Sequence, residues 1–307
     1  MMNYATIYQN EKKFLSLTSL YPQEFDELLP TFAQEWYKYH KHFGAHGKRR
    51  KAPKLSYQND TRTLATVEDK LFYILVYLKN NPTQEFQAAS FDIDQGQASR
   101  WINILSKILE EALKKLDVLP CQQGSALAQF LEDKDIDILI IDGMEQRTRR
   151  AVDADAQKDK YSGKKKDHTI KNQVISHPNQ YVFFLSKTYS GKIHDSKIAP
   201  TENCTYLQGV RLYKDTGYLG YTPESVVEMA PFKKPRKKEL SVLQEWFNKT
   251  VSQVRIAVEH AIAGIKRCRV IKERCRVQYK LRERFLLIAT GLHNLRVNSS
   301  CRLYARL

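Results

Sequence analysis

The stretch DIDILIIDG at residues 135–143 constrains the fold of this 307-residue chain more than any other. From residue 138 its apolar residues follow one another without polar alternation, and the run ends in an acid and a glycine. Such a run is typical of a β-strand buried on both faces, because a strand with one solvated face alternates apolar and polar residues. A strand covered on both sides needs helices packed on its sheet, so the sequence predicts a layered α/β domain.

Further strands and helices follow this run in an order that predicts a mixed sheet. Two β-rich segments are separated by the turn residues PNQ, which indicates a hairpin. The predicted strands are residues 135–143, 168–177, 181–190, 210–218 and 225–231, and the predicted helices are residues 194–204, about 240–266 and 279–297. We therefore expect a mixed five-stranded sheet with helices on it.

Before this α/β region the apolar residues recur at helical spacing. Residues 17–43 predict an amphipathic helix interrupted near Pro30, and a basic, glycine-containing linker follows it. Thr66 and Asp69 form a possible capping box at the start of the next helix. A short helix, a polar break at residues 92–94 and a longer helix then predict a helix-turn-helix.

The change of pattern along the chain divides it into four predicted parts. They are an N-terminal helical segment at residues 1–45, a basic linker at 46–65, an all-α helix-turn-helix DNA-binding domain at 66–120 and an α/β domain at 130–300. Helix pairs also occur in plain helical bundles, so the DNA-binding interpretation depends on charge and on the outer face of the second helix.

That outer face carries groups suited to duplex DNA. The first turns of the second helix are predicted to present Gln95, Gln97, Ser99 and Arg100 outward. Amide and guanidinium groups suit base edges and phosphates in a major groove. A plain helical bundle is the alternative, and the basic linker favours DNA binding over it.

The chain has a strong excess of positive charge. It contains 50 Lys and Arg against 34 Asp and Glu, a formal net charge of +16, concentrated in GKRRKAPK (47–54), YSGKKKDH (161–168) and FKKPRKK (232–238). We expect a polyanionic partner, nucleic acid before membrane, and a merely solvated basic surface is the alternative. No apolar run is long enough to cross a bilayer and no signal peptide precedes the helices, so we expect a cytoplasmic, nucleoid-associated protein.

Three acids stand at positions that predict a metal site. Asp142 lies at the C-terminal end of the first predicted strand, Asp215 lies at the end of the fourth, and Glu259 lies on the helix that reads VRIAVEHAIAGIKR. Acids at strand ends meet at the edge of a sheet, and a packed helix can bring a third acid to the same point. Hard oxygen ligands suit magnesium, and a pair of such ions clamps both reacting oxygens of a phosphodiester. Alternatively, the aspartates are turn residues and Glu259 forms an ion pair with Arg255.

Five segments of the α/β region occur together in the order and spacing of a known family: IDGME, YSGKKKDHTIKNQVI, GKIHDSKI, KDTGY and RIAVEHAIAGIKR. They resemble the DDE transposases of bacterial insertion sequences, in which a helix-turn-helix precedes the catalytic domain. The N-terminal segments resemble that family's DNA-binding region as well. One departure is Ser252, three residues before Arg255, where the family signature usually has a tyrosine. That tyrosine is not a metal ligand, so the departure concerns the positioning of DNA.

The resemblance implies an RNase H-like catalytic domain at residues 130–300 and two divalent metal ions, Mg²⁺ with Mn²⁺ as a substitute. It implies that Asp142, Asp215 and Glu259 are the catalytic residues and metal ligands. The implied reaction is cleavage at the ends of a mobile element and transfer of the 3′-hydroxyl to target DNA. The implied partners are duplex DNA, as terminal inverted repeats and target, and further copies of the chain in a homodimer or larger assembly on DNA.

The cations near these acids are expected to contact DNA. Arg255 and Lys266 fall on the same side of the helix as Glu259, and Lys164, Lys165 and Lys166 lie in a segment that resembles the family's basic run. Two alternatives to a transposase are an inert DNA-binding protein derived from one and a related RNase H-like nuclease. The presence of all three acids argues against the first, and the helix-turn-helix with its basic linker argues against the second.

Overall fold

The computed structural model describes residues 2–44, 47–54, 64–235 and 239–299, which form two compact units. The helical unit comprises the chain up to Leu119, Ile265–Glu273 and the chain from Val277 onward. The sheet unit comprises Pro120–Gly264 and Arg274–Arg276. The C-terminal helix thus groups with the helical unit, whereas the sequence analysis assigned it to the domain at 130–300. Much of the predicted basic linker, and residues 236–238 of the third basic run, lie outside the described residues.

The helices are numbered in chain order. Their bounds are α1 (Tyr4–Tyr8), α2 (Glu11–Thr18), α3 (Pro22–His42), α4 (Val67–Asn80), α5 (Gln84–Phe91), α6 (Gln95–Lys115), α7 (Leu127–Leu131), α8 (Ala154–Lys160), α9 (Asp195–Glu202), α10 (Val242–Ile265), α11 (Arg269–Lys272) and α12 (Tyr279–Asn298). None of them, over the ranges that the structure describes, is long and apolar enough to span a membrane.

Helix α3 runs through Pro30, so the predicted interruption is wrong. The helix begins with Pro22 at its first position and with Glu24, whose carboxylate accepts the backbone N–H of Tyr21 at 2.8 Å. Pro30 has no N–H to donate to the carbonyl of Asp26, but it lies on the exposed side of the helix, where water can reach that carbonyl. The apolar contacts of the opposite face therefore maintain the helix.

The predicted helix-turn-helix is confirmed in α5 and α6. Helix α5 ends at Phe91, and the next residue, Asp92, adopts the left-handed conformation with φ 55°, a geometry that aspartate tolerates through local hydrogen bonding. Asp94 caps α6 by accepting the backbone N–H of Gln97 at 2.8 Å. The inner face of α6 is apolar and buried, and it includes Ala98, Ile102, Leu105, Ile108, Leu109 and Ala112.

A buried lysine connects three parts of the helical unit. Lys70 in α4 is 6% exposed, and its ammonium group donates to the carbonyls of residues 64–66 at 2.5, 3.1 and 3.0 Å. The same ammonium group lies 4.9 Å from the ring centroid of Trp36 on α3 and 5.9 Å from that of Trp101 on α6. Carbonyl oxygens and aromatic faces both stabilise a cation, so this arrangement holds α3, the start of α4 and α6 together.

Helix α12 packs on α6 and completes the helical unit. Arg284 forms an ion pair with Glu110 at 2.8 Å, and Asn294 donates to the backbone carbonyl of Val118 at 2.9 Å. Gly291 faces α6 closely, since a Cβ atom there would lie 3.2 Å from a methyl carbon of Leu113. These contacts explain why the last helix belongs with the first six in space.

The sheet unit contains one mixed sheet. Its strands are β1 (Ile138–Arg147), β2 (Tyr161–Ser162), β3 (Asp167–Ser176), β4 (Val182–Leu185), β5 (Tyr189–Ser190), β6 (Val210–Tyr213) and β7 (Val226–Met229). The order is β2-β3-β1-β6-β7, and β4 and β5 also pair with β3. Strands occur in all five predicted segments, the segment 181–190 is divided into β4 and β5, and the two-residue strand β2 brings the sheet to seven.

Strand β1 continues past Asp142, so its predicted end there is wrong. Strand β3 pairs antiparallel with β1 from Ile140 to Arg147, whereas β6 pairs in parallel with Ile138–Ile140. The second, more polar half of β1 therefore has β3 as its hydrogen-bonding partner. Asp142 lies within the strand, at the point where the β6 side of β1 becomes free of pairing.

We expect Lys70→Met to lower the free energy of unfolding by about 1–3 kcal/mol, because the side-chain volume is kept while three carbonyls lose their donor. Urea unfolding followed by tryptophan fluorescence measures the change, since Trp36 and Trp101 flank the lysine. Lys13→Met, at an exposed position, serves as the control and should leave the transition unchanged. Equal transitions for both variants would contradict a stabilising role for Lys70.

Candidate active site

The parallel pairing of β1 with β6 determines where two acids lie. Ile140 pairs with Tyr213, the last residue of β6. Asp142 and Asp215 follow two residues further along their respective chains. Because paired residues in a parallel ladder advance together, the two aspartates emerge side by side. Asp215 also accepts the backbone N–H of Thr216 at 2.7 Å and so begins a short 3₁₀ turn.

Arg255 of α10 lies between these two aspartates. Its Nη2 atom is 3.8 Å from Asp142 Oδ2, and its Nη1 atom is 3.6 Å from Asp215 Oδ1. The side chain is 15% exposed, and its buried Nε atom has no hydrogen-bond partner in the part of the chain that the structure describes. Val251 and Val258, one turn to either side, are fully buried and hold this face of α10 inward. The two aspartates thus converge on one guanidinium.

Burial and neighbouring charges act on Asp142 together. Burial raises the pKa of Asp142 above its ordinary value. The backbone N–H of Gly143, 2.7 Å from Oδ1, and the charge of Arg255 lower that pKa, while Asp215 and Asp195 raise it further. The net direction is upward, so the ionised carboxylate is held in an unfavourable, partly desolvated place.

Glu259 lies one helical turn beyond Arg255 and is exposed. Among the described residues it forms no ion pair, so the alternative of an Arg255–Glu259 pair does not occur, and Arg255 contacts the aspartates instead. The described ranges contain no group of three or more His, Cys, Asp or Glu side chains arranged to hold a metal ion. The structure therefore brings two of the three predicted acids together and leaves the third at the solvent side of α10.

The remaining predicted DNA contacts lie in different places. Lys164, Lys165 and Lys166 are exposed in the turn between β2 and β3, and Lys166 adopts the left-handed conformation with φ 48°. Lys266 follows the last residue of α10 in a turn and belongs to the helical unit. The lysine turn presents three charges to solvent, as a phosphate contact requires.

The outer face of α6 is largely as expected. Gln95, Gln97 and Arg100 are exposed, and Ser99 is half-buried. The side-chain amide of Gln95 donates to Gln84 on α5 at 2.6 Å, which joins the first turns of the two helices. Three of the four predicted side chains therefore face solvent.

Two residues beside the acids, Asp195 and Tyr218, were not predicted from the sequence. Tyr218 is buried, and burial followed by the charges of Asp195, Asp142 and Asp215 raises the pKa of its phenol well above the usual range. Both residues occur in segments that carry the family resemblance, GKIHDSKI and KDTGY. That occurrence was the available signal, but only the fold shows that these segments meet.

Comparison with known proteins identifies the family. Residues 141–294 match the family described as DDE superfamily endonuclease, a span of about half the chain, and residues 62–115 match the helix-turn-helix of DDE superfamily endonuclease. The chain belongs to the DDE superfamily of endonucleases. The predicted fold class is thereby confirmed for this DDE endonuclease: a mixed sheet with helices, preceded by an all-helical region that matches the helix-turn-helix domain.

A curated relative of the chain is named as a probable transposase. The DDE endonuclease is 23% identical over 225 residues to the probable transposase for insertion sequence element IS702 from Microchaete diplosiphon, and the match covers 71% of this chain and 75% of the relative. No solved structure matches the chain. The family and the relative support a transposase or endonuclease activity, and the two matched domains imply DNA binding.

Enzymes of the DDE superfamily generally use divalent metal ions. The residues present fit such an ion, because the carboxylates of Asp142 and Asp215 are hard oxygen donors that already face one cationic group, the guanidinium of Arg255. Two carboxylates that face one positive charge provide the negative charge and the oxygen donors that a metal cation needs.

We expect Asp142→Asn to raise the thermal unfolding temperature at pH 7.5 in EDTA. Burial raises the pKa of Asp142, so below the ordinary aspartate pKa both folded and unfolded states are protonated and the ionisable group carries no penalty. As pH rises from the ordinary pKa to the raised folded pKa, the native protein loses stability, and above the folded pKa it carries the full cost, which the amide does not incur.

Calorimetry at pH 3, below the ordinary aspartate pKa, and at pH 7.5 measures this effect, with the exposed Asp133→Asn as a matched control that should change neither value. A lower unfolding temperature for Asp142→Asn at pH 7.5 would indicate that this aspartate stabilises the fold.

Proposed function

We propose that this chain is a DNA transposase that cleaves phosphodiester bonds at the ends of an insertion sequence and transfers the freed 3′-hydroxyl to target DNA. The observation that carries the proposal is the approach of Asp142 and Asp215 to Arg255 on α10, the helix that also bears Glu259. The similarity to a probable insertion-sequence transposase favours a mobile element over a general nuclease.

In this proposal Asp142, Asp215 and Glu259 are the catalytic carboxylates and hold two divalent ions, Mg²⁺ with Mn²⁺ as a substitute. Bound metal ions of this kind supply charge stabilisation to the attacking and leaving oxygens of a phosphodiester. The protein contributes rigidity, because Asp142 lies within a paired strand and Asp215 caps a turn at the end of β6. Glu259 contributes from an exposed position, where it can approach the same point.

Duplex DNA engages four parts of the chain in this proposal. Gln95, Gln97, Ser99 and Arg100 read the terminal inverted repeat, and the lysine turn at residues 164–166 and Lys266 contact phosphates. In the free protein Arg255 contacts the two aspartates. In this proposal it contacts a phosphate instead when DNA is bound. Cutting and joining two ends requires both in one assembly, so the active form is a homodimer or larger on DNA.

Glu259→Gln is expected to abolish cleavage of a labelled element-end duplex while the fold and DNA affinity persist, because the amide keeps the shape and loses the charge that a cation needs. Asp142→Asn and Asp215→Asn should behave alike, and a double variant should be hardly worse than a single one, since residues that act as a unit are not additive. EDTA should abolish cleavage and Mg²⁺ or Mn²⁺ restore it.

The matched control is Glu245→Gln, the same change at an exposed position near the start of α10. It should cut normally. Normal cutting by Glu259→Gln would remove Glu259 from the active site, and binding without cutting in the native protein under all metal conditions would favour an inert DNA-binding protein.

Arg100→Ala and Gln97→Ala are expected to weaken binding of the element end, by about 1–3 kcal/mol where a bidentate base contact is lost. Fluorescence anisotropy of the full chain with specific and scrambled duplexes, over a range of salt, separates base reading from phosphate attraction. Lys114→Ala is the control, because it removes one exposed charge from the far end of α6. Unchanged preference for the element end in both test variants would exclude α6 as the reading helix.

A further inference from the structure

Two segments that carry the family resemblance have no role in the proposed chemistry. They are IKNQV (170–174) on β3 and HDSKI (194–198), where α9 begins. The structure brings one charged residue from each, Lys171 and Asp195, to the same place beside β1.

Lys171 and Asp195 form a largely buried ion pair. The Nζ atom of Lys171 is 3.3 Å from Asp195 Oδ1, and it donates to the backbone carbonyl of Ile193 at 3.0 Å. The lysine side chain is 11% exposed and the aspartate side chain 23%. Holding two charges in such a place costs desolvation energy, and well-packed apolar residues would often serve stability equally well. A contribution to the stability of the fold is therefore not a sufficient explanation for this ion pair.

The pair adjoins the residue next to Asp142. The carboxylate of Asp195 lies against Gly143, where a Cβ atom would come within 3.3 Å of the carboxyl carbon. Gln173, which is opposite Gly143 in the β1–β3 register, is buried, and its side-chain amide has no hydrogen-bond partner within the described part of the chain. A buried ion pair beside a buried amide without a hydrogen-bond partner is unusual in a core that serves only stability.

The charge of Asp195 also reaches the acidic site. After burial, its negative charge is the leading contribution to the raised pKa of the buried Tyr218 phenol, followed by the charges of Asp142 and Asp215. The charges of all three carboxylates therefore act on one side chain. Of these three carboxylates, Lys171 contacts only that of Asp195. Its positive charge therefore offsets the one carboxylate that has no role in the proposed chemistry.

We propose that Lys171 and Asp195 form a positioning pair that supports the backbone at Asp142 and Gly143 and keeps the charge around the acidic site balanced for a divalent cation. This inference rests on the proposed function and deepens it, since it assigns a role to residues outside the three carboxylates. Neither residue contacts the reacting groups. Their influence is exerted through the backbone of β1 and through the electric field.

A charge role predicts opposite effects from the two members of the pair. Lys171→Met leaves the negative charge of Asp195 unbalanced and should tighten binding of Mn²⁺, whereas Asp195→Asn leaves an unbalanced positive charge and should weaken it, each by about threefold to tenfold. The double variant Lys171→Met/Asp195→Asn removes one charge of each sign and should bind Mn²⁺ within about twofold of the native protein.

Mn²⁺ binding is measured on the full chain without DNA at pH 7.5 by electron paramagnetic resonance of the free ion, and thermal unfolding of each variant reports the fold. Lys171→Gln, which keeps a donor for the carbonyl of Ile193, carries the same test if Lys171→Met does not fold. Asp142→Asn identifies the site, because it should lose the binding that the native protein has.

Weaker Mn²⁺ binding in both single variants, or unchanged Mn²⁺ binding in both, would contradict the charge role of the pair. Either result would leave the proposed three-carboxylate site unaffected. Absence of Asp142-dependent Mn²⁺ binding in the native protein would contradict the proposed function itself and remove this inference with it. Opposite shifts with recovery in the double variant support the pair, because structural damage weakens binding whichever residue is changed.

Discussion

The short parallel ladder between β1 and β6 determines how the two aspartates of the candidate site are placed in this DDE endonuclease. It has three residue pairs, and it fixes Asp142 beside Asp215. A slip of one residue in β1 would turn Asp142 to the opposite face of the sheet. The longer antiparallel ladder with β3 prevents that slip, because it pairs β1 from Ile140 to Arg147. The precise placing of two acids thus depends on hydrogen bonds made by a third strand.

The local patterns of this sequence predict its elements well, because each pattern depends on neighbouring residues. The helix-turn-helix follows from two helical patterns separated by the polar residues 92–94, and the five main strands follow from one continuous apolar run and from β-rich segments. The errors arise where a distant partner decides the outcome. Strand β1 passes Asp142 because β3 pairs with it, and α3 passes Pro30 because its inner face is buried.

The residues of the candidate site also differ in whether local patterns predict their positions. The side-by-side emergence of Asp142 and Asp215 could be anticipated from strand ends, whereas the position of Arg255 between them could not, since it depends on how α10 packs. The same holds for Asp195 and for the enclosure of Lys70. Whether a charged side chain is buried depends on the groups that surround it in the fold. A single sequence does not show which groups those are.

The helical unit is assembled from two distant stretches of chain, and this has a consequence for the order of folding during synthesis. A ribosome releases the sheet segments up to Gly264 before it has made α12. Until then the carbonyl of Val118 lacks Asn294 and the carboxylate of Glu110 lacks Arg284. Domains generally fold as units when their residues are available. The unit that begins the chain is therefore the last to be completed, so a nascent protein has the strands of its sheet before the helix-turn-helix unit receives its last helix.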